Sequence, residues 1–245
     1  MPKKASGVFH GKTALITGGN RGIGLAMAHA LASEGCNLIL AGRNQPSLNQ
    51  AARELAKYKT PSPPMTMMCD VRIPIAVESL FAVVKGHVPR LDILVNNAGI
   101  AHPNLGVDEL PYATWREVIE TNLSGMFLVT HAALPLLREG SVIINNLSIT
   151  AKRVFAGSSA YVASKHGALG FTNALREELR PRGVRVMALL PGATDTAIWN
   201  TLWPDAPRKK MISPETVARA VVDALRLPPD STVEELTIMP SAGTL

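Results

Sequence analysis

Short apolar or β-branched runs alternate with longer segments of helical periodicity along almost the whole chain, and this alternation constrains the fold more than any other feature. The strand-like runs fall at 13–17, 37–41, 65–69, 91–96, 142–147, 184–190 and 233–239. Helix-like segments lie near 22–33, 45–57, 74–86, 112–137, 159–180 and 214–225. Consecutive strands separated by a helix pair in parallel through right-handed crossovers. The predicted fold is therefore α/β, a single domain with a doubly wound seven-stranded parallel sheet and helices on both faces. With 245 residues, 47% of them apolar, the core is large enough to need neither a disulfide nor a structural metal. Pro61-Ser62-Pro63-Pro64 reads as a turn before the third strand. The stretch 197–212 fits neither period and holds Trp199, Leu202 and Trp203 beside Pro204 and Pro207, which predicts a functional loop acting as a lid.

Other features exclude whole classes of function. The net charge is +6, but the basic residues are scattered, the densest cluster being Arg208-Lys209-Lys210, and aromatics make up only 4% of the chain. Neither property suits a nucleic-acid partner. The amino end carries Lys3 and Lys4 without a following apolar stretch of signal length, and no run of 18 apolar residues occurs, so a cytoplasmic protein without a membrane span is expected. Cys36 and Cys69 lie in apolar runs and read as buried free thiols, which leaves the sequons at Asn122 and Asn146 accidental. The six histidines show no metal-ligand spacing, and the chain lacks a G-x-S-x-G elbow. No metal is expected.

The turn Thr17-Gly18-Gly19-Asn20-Arg21-Gly22-Ile23-Gly24 follows the first strand and opens the first helix, where backbone N–H groups and the helix dipole favour phosphate. Its spacing is G-x-x-x-G-x-G. Four further motifs follow: Asn96-Asn97-Ala98-Gly99, Asn122 in Glu120-Thr121-Asn122-Leu123, Ser148 thirteen residues before Tyr161, and Tyr161-Val162-Ala163-Ser164-Lys165. Pro191-Gly192-Ala193-Thr194-Asp195-Thr196 closes the series. In this order and register, the chain resembles the short-chain dehydrogenases/reductases, oxidoreductases of the Rossmann fold, over essentially its whole length.

The residues carry a chemical reading of their own. Tyr161 and Lys165 stand at i and i+4, on one helical face. An ammonium about 5 Å from a phenol would favour the phenolate by about 3 kcal/mol, bringing a tyrosine from about 10 toward neutrality. Ser148, at the end of the fifth strand, is placed to donate to a substrate oxygen. The resemblance implies the rest. Asn122 would hold a water linking Lys165 to solvent. The cofactor would be bound by Gly18, Asn20, Arg21, Gly22, Ile23 and Gly24 at its phosphates, by Asp70 and Val71, ending the third strand, at the adenine, and by Asn97 beside the adenosine ribose, with Ala98 and Gly99 also in the cofactor site. Lys165 would reach the nicotinamide ribose and Thr194 and Thr196 the carboxamide and phosphates, with Tyr161, Pro191 and Gly192 also binding the cofactor. Leu147-Ser148-Ile149 lacks the second small or hydroxyl residue that relatives often carry there.

NAD sites place a carboxylate about 20 residues beyond the glycine turn. Here Gly42 stands eighteen residues past Gly24 and Arg43 follows, so Arg43 and Arg21 are expected to converge on a 2′-phosphate. The expected activity is an NADP(H)-dependent carbonyl reductase or alcohol dehydrogenase acting on a small-molecule carbonyl or alcohol. Residues 12–100 would form the dinucleotide-binding part and 101–245 the catalytic and substrate part. The alternatives are a nucleotide-sugar epimerase or dehydratase, which shares Tyr-x-x-x-Lys but needs more than the 49 residues after Thr196, and a nonenzymatic NADP-sensing regulator, which typically lacks the tyrosine or lysine. Relatives commonly form dimers or tetramers through the two long helices, so a homodimer or homotetramer is expected.

Overall fold

The computed structural model describes residues 7–244; Lys3 and Lys4 lie outside them. The strands are β1 (Thr13–Thr17), β2 (Asn37–Gly42), β3 (Met65–Met68), β4 (Leu91–Asn96), β5 (Leu137–Asn146), β6 (Arg185–Pro191) and β7 (Glu235–Ile238). The helices are α1 (Gly22–Ser33), α2 (Gln45–Leu55), α3 (Pro74–His87), α4 (Tyr112–Ile119), α5 (Gly125–Ala133), α6 (Ser159–Leu179), α7 (Trp199–Leu202) and α8 (Pro214–Leu225). All seven strands run parallel in the order β3-β2-β1-β4-β5-β6-β7. The sheet is the doubly wound Rossmann type. Strand order reverses between β1 and β4, the place where such sheets open a crevice at their carboxyl edge.

β1 is buried along its whole length, as a central parallel strand covered on both faces must be. On one face Met27, Leu31, Leu48, Val217 and Val221 pack onto Ile16, Leu40 and Val95. On the other, Val77, Phe81, Val129, Leu175 and Leu179 cover Leu15, Leu94 and Ile143. Each such leucine or isoleucine taken fully out of water contributes roughly 1.5–3 kcal/mol. Cys36 and Cys69 are buried and unpaired. Among the described residues, no helix is long and apolar enough to cross a membrane.

The structure departs from the sequence reading in several places. The helix expected over 112–137 is four pieces. α4 ends at Ile119, a wide π turn spans Glu120–Ser124, α5 runs to Ala133, and a tight 3₁₀ turn over Leu134–Leu136 ends the helix at Pro135. Proline cannot supply the N–H that a continuing helix needs. Leu137 belongs to β5, pairing with Leu91 ahead of a register shift, so β5 begins five residues before the expected 142. The intervening Arg138-Glu139-Gly140, with Gly140 at φ +82°, hides this first part from β periodicity. β3 stops at Met68, so Asp70 and Val71 follow the strand instead of ending it. β5 stops at Asn146, so Ser148 opens the 3₁₀ turn Ile149–Ala151. α2 ends at Leu55, and β7 is shorter at both ends than 233–239. The irregular 197–212 stretch contains the one-turn α7 and a 3₁₀ turn at Arg208–Lys210.

Candidate active site

A cleft of about 1210 Å³ opens at the carboxyl edge of the sheet. All the singled-out residues line it except Gly24 and Asn122. The glycine turn forms one wall. Gly18 and Gly22 adopt φ of +61° and +53°, the left-handed region where a side chain is strained. Gly24 is needed for a different reason. A Cβ there would sit 2.4 Å from Asn97 Nδ2 and 2.5 Å from the Gly18 carbonyl, so Gly24 lets the turn close onto β4 behind the cleft wall. Asn97 is that brace: its Nδ2 donates to the carbonyls of Thr17 (2.9 Å) and Gly18 (3.1 Å), and its Oδ1 accepts from Asn146 Nδ2 (2.8 Å). The expected ribose contact thus comes from a residue whose amide is already committed to the turn. α1 has neither a side-chain cap nor an acid in its first turn, which leaves its opening amides free.

Charged side chains gather at the β2–β3 end. Arg21 is exposed, and Arg43 is half-exposed beside it. Arg43 Nη1 lies 3.7 Å from Glu117 Oε1 on α4, and that carboxylate also accepts from Arg72 Nη1 at 3.0 Å. Arg72 in turn grips Asp70, with Nη2 2.6 Å from Oδ2 and Nε 3.0 Å from Oδ1. These hydrogen bonds hold the Asp70 carboxyl below the usual carboxylate range. Asp70 therefore meets the cleft as a fixed, ion-paired carboxylate. Nothing in sequence spacing pointed to Glu117, which reaches Arg72 across 45 residues.

At the β5–β6 end stand Ser148, Tyr161 and Lys165. α6 presents Tyr161 and Lys165 on one buried face, at 8% and 4% exposure. Lys165 Nζ donates to the Asn146 carbonyl at 3.1 Å and lies 5.6 Å from the centroid of the Tyr161 ring. The lysine thus sits over the ring face, and the expected lowering of the phenol does not occur. Burial pushes Tyr161 up to about 12, opposed only by the nearby Ser148 hydroxyl, and pushes Lys165 down to about 8. Ser148 Oγ accepts from the Thr150 N–H at 3.1 Å.

Asn122 stands behind the wall. Its Oδ1 accepts from the Ile100 N–H (2.8 Å), while its Nδ2 donates to the Ile100 carbonyl (2.9 Å) and to Ser164 Oγ (3.0 Å). Ser164 donates to the Tyr161 carbonyl, so Asn122 ties the π turn to the helix that carries the tyrosine. The next residue, Gly125, packs against Val71, where a Cβ would lie 2.7 Å from a methyl. Thr194 spends its hydroxyl on the Gly192 carbonyl at 3.0 Å, and the Thr196 methyl faces Gly22. Trp199 Nε1 donates to the Thr194 carbonyl at 2.9 Å, which ties α7 to the loop after β6.

The family model for short chain dehydrogenases matches residues 12–207. The chain belongs to that family. As a short-chain dehydrogenase/reductase it is an oxidoreductase, with a nucleotide-binding Rossmann fold. It is 36% identical to a 3beta-hydroxysteroid dehydrogenase of Mediterraneibacter gnavus, covering 78% of this chain and 69% of that one. An alcohol dehydrogenase of Thermococcus sibiricus, solved with 5-hydroxy-NADP, superposes with a TM-score of 0.88 at 31% identity, covering 96% and 98%. A 3-ketoacyl-(acyl-carrier-protein) reductase of Brucella melitensis, solved with NADH, gives a TM-score of 0.86 at 25% identity, covering 95% and 98%.

Proposed function

We propose that this oxidoreductase uses NADP(H) to interconvert a carbonyl compound and its alcohol, with Ser148, Tyr161 and Lys165 as catalytic residues and Asn122 as the residue that positions them. The observation that carries the reading is the arrangement of one continuous cleft: a glycine turn with open amides forms one end, and Ser148 beside the buried Tyr161 and Lys165 the other. The cradle fits a dinucleotide, since Gly18 and Gly22 bring bare backbone to the wall and α1 supplies uncapped donors. Arg21 and Arg43 fit a 2′-phosphate, and the Thermococcus enzyme's NADP analogue supports that choice while the Brucella enzyme's NADH leaves it to be tested.

Bound NADPH supplies the hydride; the chain's own groups supply everything else. Ser148 donates to the carbonyl oxygen and holds it beside Tyr161. Tyr161, kept protonated by burial, gives its proton to that oxygen as negative charge develops there. Lys165, anchored on the Asn146 carbonyl, keeps a cation next to the phenol as it becomes a phenolate. Asn122 braces α6 through Ser164 and the 99–101 loop through Ile100. α7, with Trp199, Leu202 and Trp203, closes over the substrate as a lid. Catalysis takes place in a reducing cytosol, to which the two free cysteines are suited, in a homodimer or homotetramer assembled on α4, α5 and α6, where Phe127 is half-exposed.

The test is NADPH oxidation by purified protein against a panel of aldehydes and ketones, with Tyr161→Phe alongside. Wild type consumes NADPH with a carbonyl present. The variant binds NADPH but loses about a hundred- to ten-thousand-fold in turnover. A variant with more than a tenth of wild-type turnover removes Tyr161 from the proton transfer.

A further inference from the structure

The charges of the cleft are segregated. Among the described lining residues, Arg21, Arg43, Asp70 and Glu117 all lie at the β2–β3 end, and Lys165 lies over the Tyr161 ring face, held on the Asn146 carbonyl. Past Ser148 the described lining residues carry no formal charge. Its large members are Ile149, Phe155, Ile198, Trp199, Leu202 and Trp203. Two of these stay exposed at the mouth, Phe155 at 37% and Trp203 at 46%.

The cations of the surrounding loops do not change this. Arg208 is consumed by Asp195 (2.7 Å), the Thr196 carbonyl (2.7 Å) and Asn200 Oδ1 (2.6 Å). Lys152 pairs with Glu235. Arg153, Lys209 and Lys210 are exposed and do not line the cleft. What the substrate end does offer is neutral hydrogen-bonding capacity, from Asn104, Thr150 and Ser158. The Thr150 hydroxyl is buried and unpartnered.

We propose that the substrate is an uncharged, largely apolar ketone or aldehyde without a carboxylate, phosphate or other ionic group, its hydrocarbon part held between α7 and the 149–156 loop. The proposal rests on the oxidoreductase reading above. An anionic substrate seated there would lose its water and find no cation, a heavy penalty, whereas an apolar one gains from the area it buries. Neutral oxygens elsewhere on the molecule are tolerated because neutral donors and acceptors are present.

The experiment compares matched substrates with the same reacting carbonyl, ethyl benzoylformate and the benzoylformate anion, in NADPH-dependent reduction at neutral pH. The ester is expected to exceed the anion in kcat/KM by about a hundredfold or more. Leu202→Arg, which places a cation in this wall, is expected to narrow the ratio by about tenfold or more, mainly through the KM of the anion. Equal or better use of the anion by wild type overturns the proposal. Binding is followed separately by quenching of tryptophan fluorescence in the NADP⁺ complex. If the ester quenches and the anion does not, yet neither is reduced, the substrate class stands and the catalytic reading fails. If neither quenches at millimolar concentration, the substrate class itself is refuted.

Discussion

At the β1–β3 end of the cleft the wall is made of backbone and charge: two glycines at positive φ, open amides of α1, and a chain of ion pairs from Arg43 through Glu117 and Arg72 to Asp70. At the α7 end it is made of aliphatic and aromatic side chains brought together from α7 and the 149–156 loop. The first kind of wall tolerates little change, because its glycines close against fixed neighbours and its charges are already paired with one another. The second can change composition freely, because an apolar surface needs only volume and burial. The same fold can thus keep one cofactor geometry while its substrate end varies.

The largest expected effect breaks the first wall alone. In Gly24→Val the new side chain has to enter the space between Asn97 and Gly18, displacing the brace of the turn. Binding of both NADPH and NADH, measured by titration calorimetry on protein whose circular dichroism is unchanged, should be lost. Retained binding would show that the turn does not set the cofactor site.

How far each wall was legible in the sequence follows from the same difference. The glycine turn and the Tyr-x-x-x-Lys pair act through fixed spacing, so their places at the cleft could be read directly except for Gly24, which like Asn122 stands behind the wall, and β1, α1 and β4 fall at their expected bounds. The 197–212 stretch could be recognised only as irregular, since its contacts come from Thr194 and Arg208 and not from a period. The broken 112–137 helix was hidden because its π turn packs on tertiary partners, Ile100, Ser164 and Val71. The ion-pair chain through Glu117 was hidden for the same reason. The protonation state of Tyr161 was misread because burial outweighs a cation held over the ring face.

A smaller effect tests the buried pair that joins the two walls. Reduction needs Lys165 charged and Tyr161 protonated. Lys165 is lowered to about 8 and Tyr161 raised to about 12, so as pH rises the lysine loses its proton first. The kcat/KM for reduction, which reports the free enzyme, should hold at lower pH and fall by up to about tenfold per pH unit above about 8. A profile that stays level to about pH 10 would mean that the lysine charge is not required.

The most direct test of the account is the choice between NADPH and NADH, because it asks whether the charged end of the cleft was built for a 2′-phosphate. With one carbonyl substrate at saturation, kcat/KM is measured for each cofactor in wild type and in Arg43→Leu. Charge-assisted hydrogen bonds contribute about 1.5–3 kcal/mol, so wild type should prefer NADPH, and the variant should lose about ten- to a hundredfold with NADPH while NADH is nearly unchanged. Equal wild-type efficiency with the two cofactors, or an equal loss of both in the variant, would contradict it.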